Sequence, residues 1–276
     1  MTTLNLLFSI DDDYCSHFFV TLFSIYENTC HEKIAVYVLQ KEQLQQQDTI
    51  YRFCAKLGIS YYPIIVGETI FTQAPTSNRY PESIYYRLLA HHYLPKHLDK
   101  ILYLDADILC LNDINSLYAL DLGDYLYAGA SHTASANLSE LVNKLRLGNY
   151  EARAYVNSGV LLMNLKQMRQ DITLQEILDY INQTSSWLLL PDQDILNALY
   201  GYRIQLLPDH IYNYDTRYNV RYYTKSSGQW NLNWVIANTV FLHFCGKDKP
   251  WNTDYHGRYS ALYKHYQHRA QRLLAD

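Results

Sequence analysis

The chain has 276 residues and a mass of 32.4 kDa; 49% of it is hydrophobic, 18% is charged, and it carries a net charge of −4 with a pI near 6.2. This composition excludes a disordered tail and a coiled coil, and the acidic balance argues against a basic surface for bulk nucleic-acid binding. There is no run of ~18 apolar residues, so no transmembrane helix is expected; the length allows two domains but suits one large α/β domain, or a domain with a C-terminal extension.

Leu4 to Ile10 is a short apolar run ending in Asp11-Asp12-Asp13. It has no basic residues before it and reads as a first core strand rather than a signal peptide. His17 to Tyr26 places Phe18, Leu22 and Ile25 at helical spacing, and Ala35 to Leu39 reads as a second strand. Lys41 to Leu57 reads as a helix closed by Gly58, and Ser60 to Val66 as a third strand. Strand alternating with helix in this way predicts a right-handed, mostly parallel sheet of Rossmann type. Residues 67–82 read as a loop, and Glu82 to Tyr93 as a helix carrying Arg87. Lys100 to Leu104 reads as a buried strand. Residues 132–155 are polar with weak periodicity, either an excursion or a short helix over a site. Val156 to Asn164 is strand-like, Leu174 to Gln183 helical, and Pro191 opens a short helix running to Leu199.

The five cysteines (Cys15, Cys30, Cys54, Cys110, Cys245) are odd in number and include no C-x-x-C pair. That argues against a disulfide framework or a structural zinc site and fits a reducing cytoplasm. The 28 tyrosines against 8 phenylalanines have two readings: biased codon usage, or flat amphipathic rings for sugar stacking.

Three segments carry chemistry. In Tyr103-Leu104-Asp105-Ala106-Asp107, alternate residues of an extended segment point the same way, so Asp105 and Asp107 leave the end of a buried strand together. Two carboxylates at one spot repel unless a cation lies between them, and Mn²⁺ or Mg²⁺ prefer such oxygens and bridge diphosphates. A solvated loop with two aspartates is the other reading. In His243-Phe-Cys-Gly246-Lys-Asp-Lys249-Pro-Trp251, which follows the apolar strand Val240-Phe241-Leu242, the imidazole can add a third ligand, Gly246 admits an anion close to the backbone, and Lys249 supplies a point charge for phosphate. The alternative is an ordinary loop with a hydrogen-bonded histidine. In Asn157-Ser-Gly159 and Asp192-Gln193-Asp194, amides and carboxylates can grip sugar hydroxyls, although one aspartate would also serve as a helix N-cap.

Taken together and in order, the strand ending Asp11-Asp12, Tyr-Leu-Asp-Ala-Asp, Asn-Ser-Gly-Val-Leu-Leu-Met-Asn, Asp-Gln-Asp and His-x-x-Gly-x-x-Lys-Pro-Trp resemble glycosyltransferase family 8. These are the retaining, metal-dependent transferases that include bacterial lipopolysaccharide galactosyl- and glucosyltransferases. The likeness runs from about residue 4 to 255. It implies a GT-A fold, with residues 1–254 as the catalytic domain and 255–276 as a helical tail. It also implies a UDP-sugar donor, Mn²⁺ or Mg²⁺, and transfer of galactose or glucose to a glycan acceptor with an α-linkage. On this resemblance Asp105, Asp107 and His243 are the metal ligands. Ser9, Asp11, Asp12 and Asp13 lie where the family holds the nucleoside, and Arg87 near the donor sugar. Ala106, between the two aspartates, lies on the donor side. Gly246 and Lys249 match diphosphate contacts, and Asn157, Asp192, Gln193 and Asp194 match donor-sugar and catalytic positions. Asp13 departs from the Asn common in close relatives, and Ser131-His132 stand where some galactosyl members carry an acidic residue. The nucleoside contact and the donor epimer therefore stay open.

Retention requires either double displacement, with Asp194 or Asp192 as nucleophile, or front-face attack with Gln193 at the β-face. A UDP-sugar hydrolase, a nucleotidyltransferase and a non-catalytic nucleotide-sugar binding module are the competing functions. The tail places Tyr259, Leu262, Tyr263, Tyr266, Ala270 and Leu273 at helical spacing, with Arg258, Lys264, Arg269 and Arg272 around them. It reads either as a basic, aromatic helix lying on the inner face of the cytoplasmic membrane near a lipid-linked acceptor or as a helix packed on the domain.

Overall fold

A computed structural model describes residues 3–30, 33–67, 70–71, 74–77, 81–132, 154–184 and 187–275. The long excursion expected near 132–155 lies mostly outside these residues. The main sheet contains β1 (Leu4–Ser9), β2 (Ile34–Gln40), β3 (Ser60–Ile65), β4 (Lys100–Leu104), β6 (Tyr127–Ala130), β7 (Val160–Asn164) and β8 (Ile204–Leu207), in the order β3-β2-β1-β4-β7-β6-β8. A smaller sheet, of which the sequence marks only the apolar strand at Val240–Leu242, holds β5 (Ile108–Cys110), β10 (Phe241–His243) and β9 (Tyr214–Asp215) in the order β5-β10-β9.

The main sheet is mostly parallel, as expected: β3, β2, β1 and β4 pair in parallel, as do β6 and β8, whereas β7 runs antiparallel to both β4 and β6. All seven residues of β2 are buried, as an inner strand covered on both faces demands. Alternation along β1 and β4 divides the core. Leu4, Leu6, Phe8, Leu102 and Leu104 join one cluster, while Leu7, Ile101 and Tyr103 join the cluster on the opposite face.

Three expected elements change their bounds for identifiable reasons. The helix expected over 41–57 begins only at Gln47. Of residues 41–46 only Leu44 is buried, so good helix formers there have no apolar face to dock, and the Gln45 N–H instead donates to Asp12. The segment 82–93 is a 3-10 helix, Glu82–Leu89, followed by one α-turn, Ala90–Tyr93. The strand expected from Val156 begins at Val160, because the Asn197 carboxamide takes both the N–H and the C=O of Val156, each at 2.7 Å, in place of a sheet neighbour.

The tail helix, Ser260–Ala275, packs on the first long helix, Cys15–Asn28. Tyr263 and Ala270 are buried there, the Tyr266 hydroxyl accepts from Asn28, and Arg269 pairs with Glu27. The aromatic side of the tail thus faces the protein, and the exposed stripe is Lys264, His265, His268 and Arg272. This is the packed alternative, and it leaves a bilayer-facing helix without its aromatic face. Among the described residues no helix is long and apolar enough to cross a membrane.

Many of the tyrosines serve the core. Tyr85, Tyr86, Tyr103, Tyr127, Tyr214, Tyr259 and Tyr263 are among the largest fully buried side chains, whereas among the described tyrosines only Tyr14 lines the main cleft described next.

Candidate active site

The carboxyl ends of β1 and β4, the start of β7, and the segments after β9 and β10 open into a cleft of about 750 Å³. Ligands of open α/β sheets bind at this edge. Ser9, Asp11, Asp13, Arg87, Asp105, Ala106, Asp107, Asn157, Asp192, Gln193, His243, Gly246 and Lys249 all line the cleft. Two of the expected residues do not. Asp12 turns outward to accept from Gln45 N–H at 2.8 Å. Asp194 is fully buried and accepts from the Tyr155 hydroxyl at 2.5 Å and from the N–H groups of Leu189 and Leu190 at 2.7 and 3.2 Å. It anchors the chain entering the helix Pro191–Tyr200 instead of facing the cleft.

Sheet register brings the acidic pair and the distant imidazole together. β10 pairs antiparallel with β5 so that His243 lies opposite Ile108, the residue after Asp107, and Phe244 N–H donates to the Asp107 carbonyl at 3.0 Å. His243 Nε2 then lies 3.1 Å from Asp107 Oδ1 and 3.8 Å from Asp105 Oδ2. One ligand atom from each of these three residues falls within 4.8 Å of the others.

The second oxygen of each carboxylate is occupied. Asp105 Oδ1 accepts from Arg87 Nη1 at 2.9 Å and from the Tyr103 hydroxyl at 2.8 Å. Asp107 Oδ2 accepts from Lys249 Nζ at 2.5 Å. Asp107 Oδ1 is buried and, apart from its ion pair with His243 Nε2, has no hydrogen-bond partner. The residues therefore fit a hard divalent cation: two carboxylate oxygens and one imidazole nitrogen point at a common spot, and the oxygens facing away are already satisfied. Gly159 makes the spot accessible. A methyl group there would lie 2.3 Å from His243 Cε1 and 2.6 Å from Asp105 Oδ2.

The surrounding electrostatics keep the charges in place. Burial works against ionisation of Asp107, but Lys249 and His243 outweigh it and hold its carboxyl far below the usual range. Burial likewise opposes the charge on Arg87, yet Asp105, Tyr103 and Asp192 keep the guanidinium firmly protonated. Arg87 is a buried hub that also lies 3.4 Å from Asp192 Oδ2, donates to the Ser158 carbonyl at 3.0 Å, and stacks over the Tyr103 ring. Burial raises the pKa of Asp192 and that of Asp11, whose Oδ1 accepts from Tyr14 N–H. Burial would lower His243, but Cys245 and Asp107 hold it well above its ordinary value. A proton on Nε2 takes the position a cation would occupy, so a cation bound there would displace it.

A second trio, His132, Asp215 and Cys245, is equally close. It differs in that both Asp215 oxygens already accept from Arg217, at 3.1 Å or less.

Several cleft residues were not singled out in the sequence. Tyr14, His17, Ser158, Arg217 and Trp251 line the cleft, and Asn213 stands directly behind His243. Tyr14 directly follows the acidic run, and Trp251 closes the Lys-Pro-Trp motif, so position could have flagged both. His17 stacks on Trp251 with ring centroids 3.5 Å apart. Arg217 and Asn213 carry no local signature, because it is the pairing of β9 with β10 that brings them in.

An open sheet with a metal-competent acidic pair at the carboxyl edge of its strands is the architecture of GT-A glycosyltransferases. The comparisons agree: the galactosyltransferase LgtC, solved with donor and acceptor sugar analogs, superposes with a TM-score of 0.81 at 23% identity, covering 96% of both chains. The Streptococcus pneumoniae glycosyltransferase GlyE superposes with a TM-score of 0.74 at 22% identity, covering 100% of this chain and 63% of that one. The chain belongs to glycosyl transferase family 8, whose profile matches residues 5–254. A lipopolysaccharide 1,2-glucosyltransferase of Escherichia coli is 30% identical over 264 residues, 91% of this chain and 74% of that protein. General stress protein A of Bacillus subtilis is 26% identical over 275 residues, 93% and 90% of the two chains. The protein is a hexosyltransferase of this family.

Proposed function

We propose that the protein transfers galactose or glucose from a UDP-sugar to a glycan or lipid-linked acceptor with retention, and that Asp105, Asp107 and His243 hold the Mn²⁺ or Mg²⁺ this requires. The observation that carries the reading is the shared focus of Asp107 Oδ1, Asp105 Oδ2 and His243 Nε2, with the remaining carboxylate oxygens tied off by Lys249 and Arg87. When bound, the divalent ion supplies neutralising charge to the diphosphate leaving group.

The chain's own residues do the rest. Ser9, Asp11 and Asp13 line the nucleoside end of the cleft beside Tyr14. Lys249, kept charged by Asp107, and the backbone at Gly246, with φ +90°, receive the diphosphate. Arg87 and Asp192 hold the donor sugar. The Gln193 carboxamide, whose Oε1 accepts from Asn157 Nδ2 at 3.1 Å and Ser158 N–H at 3.4 Å, faces the anomeric carbon. Front-face attack is the route favoured. Asp194 spends both oxygens on three donors and lies away from the cleft, which removes it as a nucleophile; Asp192 lines the cleft, but its Oδ2 pairs with Arg87 and accepts from the Ser158 hydroxyl at 2.8 Å, which lowers its nucleophilicity. Each stabilising contact to the developing charge is worth ~3 kcal/mol, about a hundredfold in rate. Five unpaired cysteines fit a cytoplasmic setting. Any contact of the tail with an anionic bilayer would run through its basic stripe.

The test is to incubate the protein with Mn²⁺ and a panel of UDP-sugars and to follow UDP release with and without acceptor sugars. Acceptor-stimulated release that needs the metal is expected for one donor. Equal release without acceptor would identify a hydrolase, and donor binding without release a binding module.

A further inference from the structure

Asn213 is the residue after the short helix Asp209–Tyr212, just before β9, and it is fully buried. Its backbone is fixed on both sides: its N–H donates to the Asp209 carbonyl at 3.0 Å, and its carbonyl lies 2.6 Å from His132 Nε2. Its carboxamide touches two parts of the site at once. Oδ1 lies 2.8 Å from His243 Nδ1, and Nδ2 donates to Asn157 Oδ1 at 2.9 Å. Asn157 Nδ2 in turn donates to Gln193 Oε1 at 3.1 Å.

The direction of this amide chain is set by backbone donors, which cannot be reversed. Gly159 N–H donates to Asn157 Oδ1 at 3.0 Å, so that atom is the acceptor end of Asn157. Ser158 N–H does the same for Gln193 Oε1 at 3.4 Å. Because Asn157 Oδ1 can only accept, Asn213 must present its NH₂ there and its oxygen to His243. The His243 nitrogen facing that oxygen must then be N–H, which leaves Nε2 as the exchangeable position toward Asp105 and Asp107. Two backbone amides at the start of β7 therefore determine which nitrogen of a residue on β10 is available to a cation.

We propose that Asn213 is a positioning residue that orients His243 for metal binding through its oxygen and ties that ligand to the Asn157–Gln193 pair through its nitrogen. It touches neither the donor nor the reacting atoms. This rests on the reading of Asp105, Asp107 and His243 as the metal site.

The two ends of the carboxamide can be tested separately. Asn213→Ala removes both, so Mn²⁺ affinity, followed by electron paramagnetic resonance of the free ion, should fall about 10- to 100-fold, and kcat should fall with it. Asn213→Asp keeps an acceptor for His243 but loses the donor to Asn157 and sets two oxygens against each other. Mn²⁺ affinity should return to near the wild-type value while kcat stays depressed and donor KM changes little. Asn157→Asp retains the acceptor facing Asn213 but loses the donor to Gln193, and should likewise lower kcat with Mn²⁺ affinity kept. Circular dichroism confirms folding; should Asn213→Ala fail it, the near-isosteric Asp variants carry the test. Wild-type Mn²⁺ affinity in Asn213→Ala, weakened affinity in a folded Asn213→Asp, or wild-type kcat in either Asp variant overturns the relay. Wild-type protein that takes up no Mn²⁺ would instead remove the metal assignment itself, and the relay with it.

Discussion

Adding one methyl group at Gly159 should disable the cation site without removing any ligand. The Cβ of an alanine would lie 2.3 Å from His243 Cε1 and 2.6 Å from Asp105 Oδ2. Ordinary carbon contacts fall at ~3.5–4.0 Å, so imidazole, carboxylate or the β7 backbone must yield by about 1 Å. Metal–ligand distances tolerate only ~0.2 Å. Gly159 is not in the left-handed region, so the effect is steric rather than conformational. Overpacking of this kind costs ~1–3 kcal/mol of fold stability, against a typical total of ~5–15 kcal/mol. The assay is Mn²⁺ titration by calorimetry alongside thermal unfolding, and Mn²⁺ affinity should fall by at least about 10-fold, the scale of losses seen when ligands are no longer held in orientation. Gly129→Ala is the matched control: its methyl would meet Val156 Cγ1 at 2.6 Å and Leu161 Cδ2 at 3.0 Å. It should cost comparable stability with metal affinity retained. A folded Gly159→Ala protein that binds Mn²⁺ as tightly as the wild type would refute the reasoning.

Three further outcomes are expected. Asp105→Ala should abolish metal-dependent transfer in a folded protein, and wild-type transfer that persists at a near-normal rate in EDTA would remove the cation from the reaction. Gln193→Ala should lower kcat more than it weakens donor binding; an unchanged kcat in steady-state assays would exclude the carboxamide from the chemistry. Burial, with His92 adding to it, pushes His91 down from 6.5 to about 4, so the folded state binds fewer protons than the unfolded chain between those values. Stability is then complete above pH 6.5 and falls as the pH drops toward 4, by at most about 3 kcal/mol. Urea unfolding at several pH values should show this loss reduced in His91→Leu, and identical pH dependence in both proteins would contradict it.

The parts legible in the sequence were those governed by local pattern. Apolar runs located β1, β2 and β4, because buried parallel strands need no partner to be recognised; β3, half-exposed at the sheet edge, follows Gly58, whose φ of +67° marks a helix end. The alternation of Asp105 and Asp107 after a buried strand pointed to paired carboxylates, and both line the cleft with His243. Less legible were features that depend on who pairs with whom. β5, β9 and β10 are two or three residues long, too short for periodicity, yet their register places His243 beside Asp107 and Asn213 behind it. The outward turn of Asp12 and the burial of Asp194 were equally hidden, since each depends on backbone N–H groups supplied by neighbouring turns. A run of three aspartates looks uniform on paper, but pleat and turn send its members in different directions.

The union of β5 with β10 also governs the order in which the protein can come into being. Asp107 and the Lys249 that neutralises it are separated by 142 positions along the chain, and closing so wide a span carries an entropic penalty that local contacts never meet. While the polypeptide is still emerging from a ribosome, its first strands can already assemble, but the acidic pair has neither its imidazole nor its ammonium counter-charge. The cation site proposed at Asp105, Asp107 and His243 is thus complete only once His243 and Lys249 have been made, and a product terminated before them should bind no Mn²⁺ there.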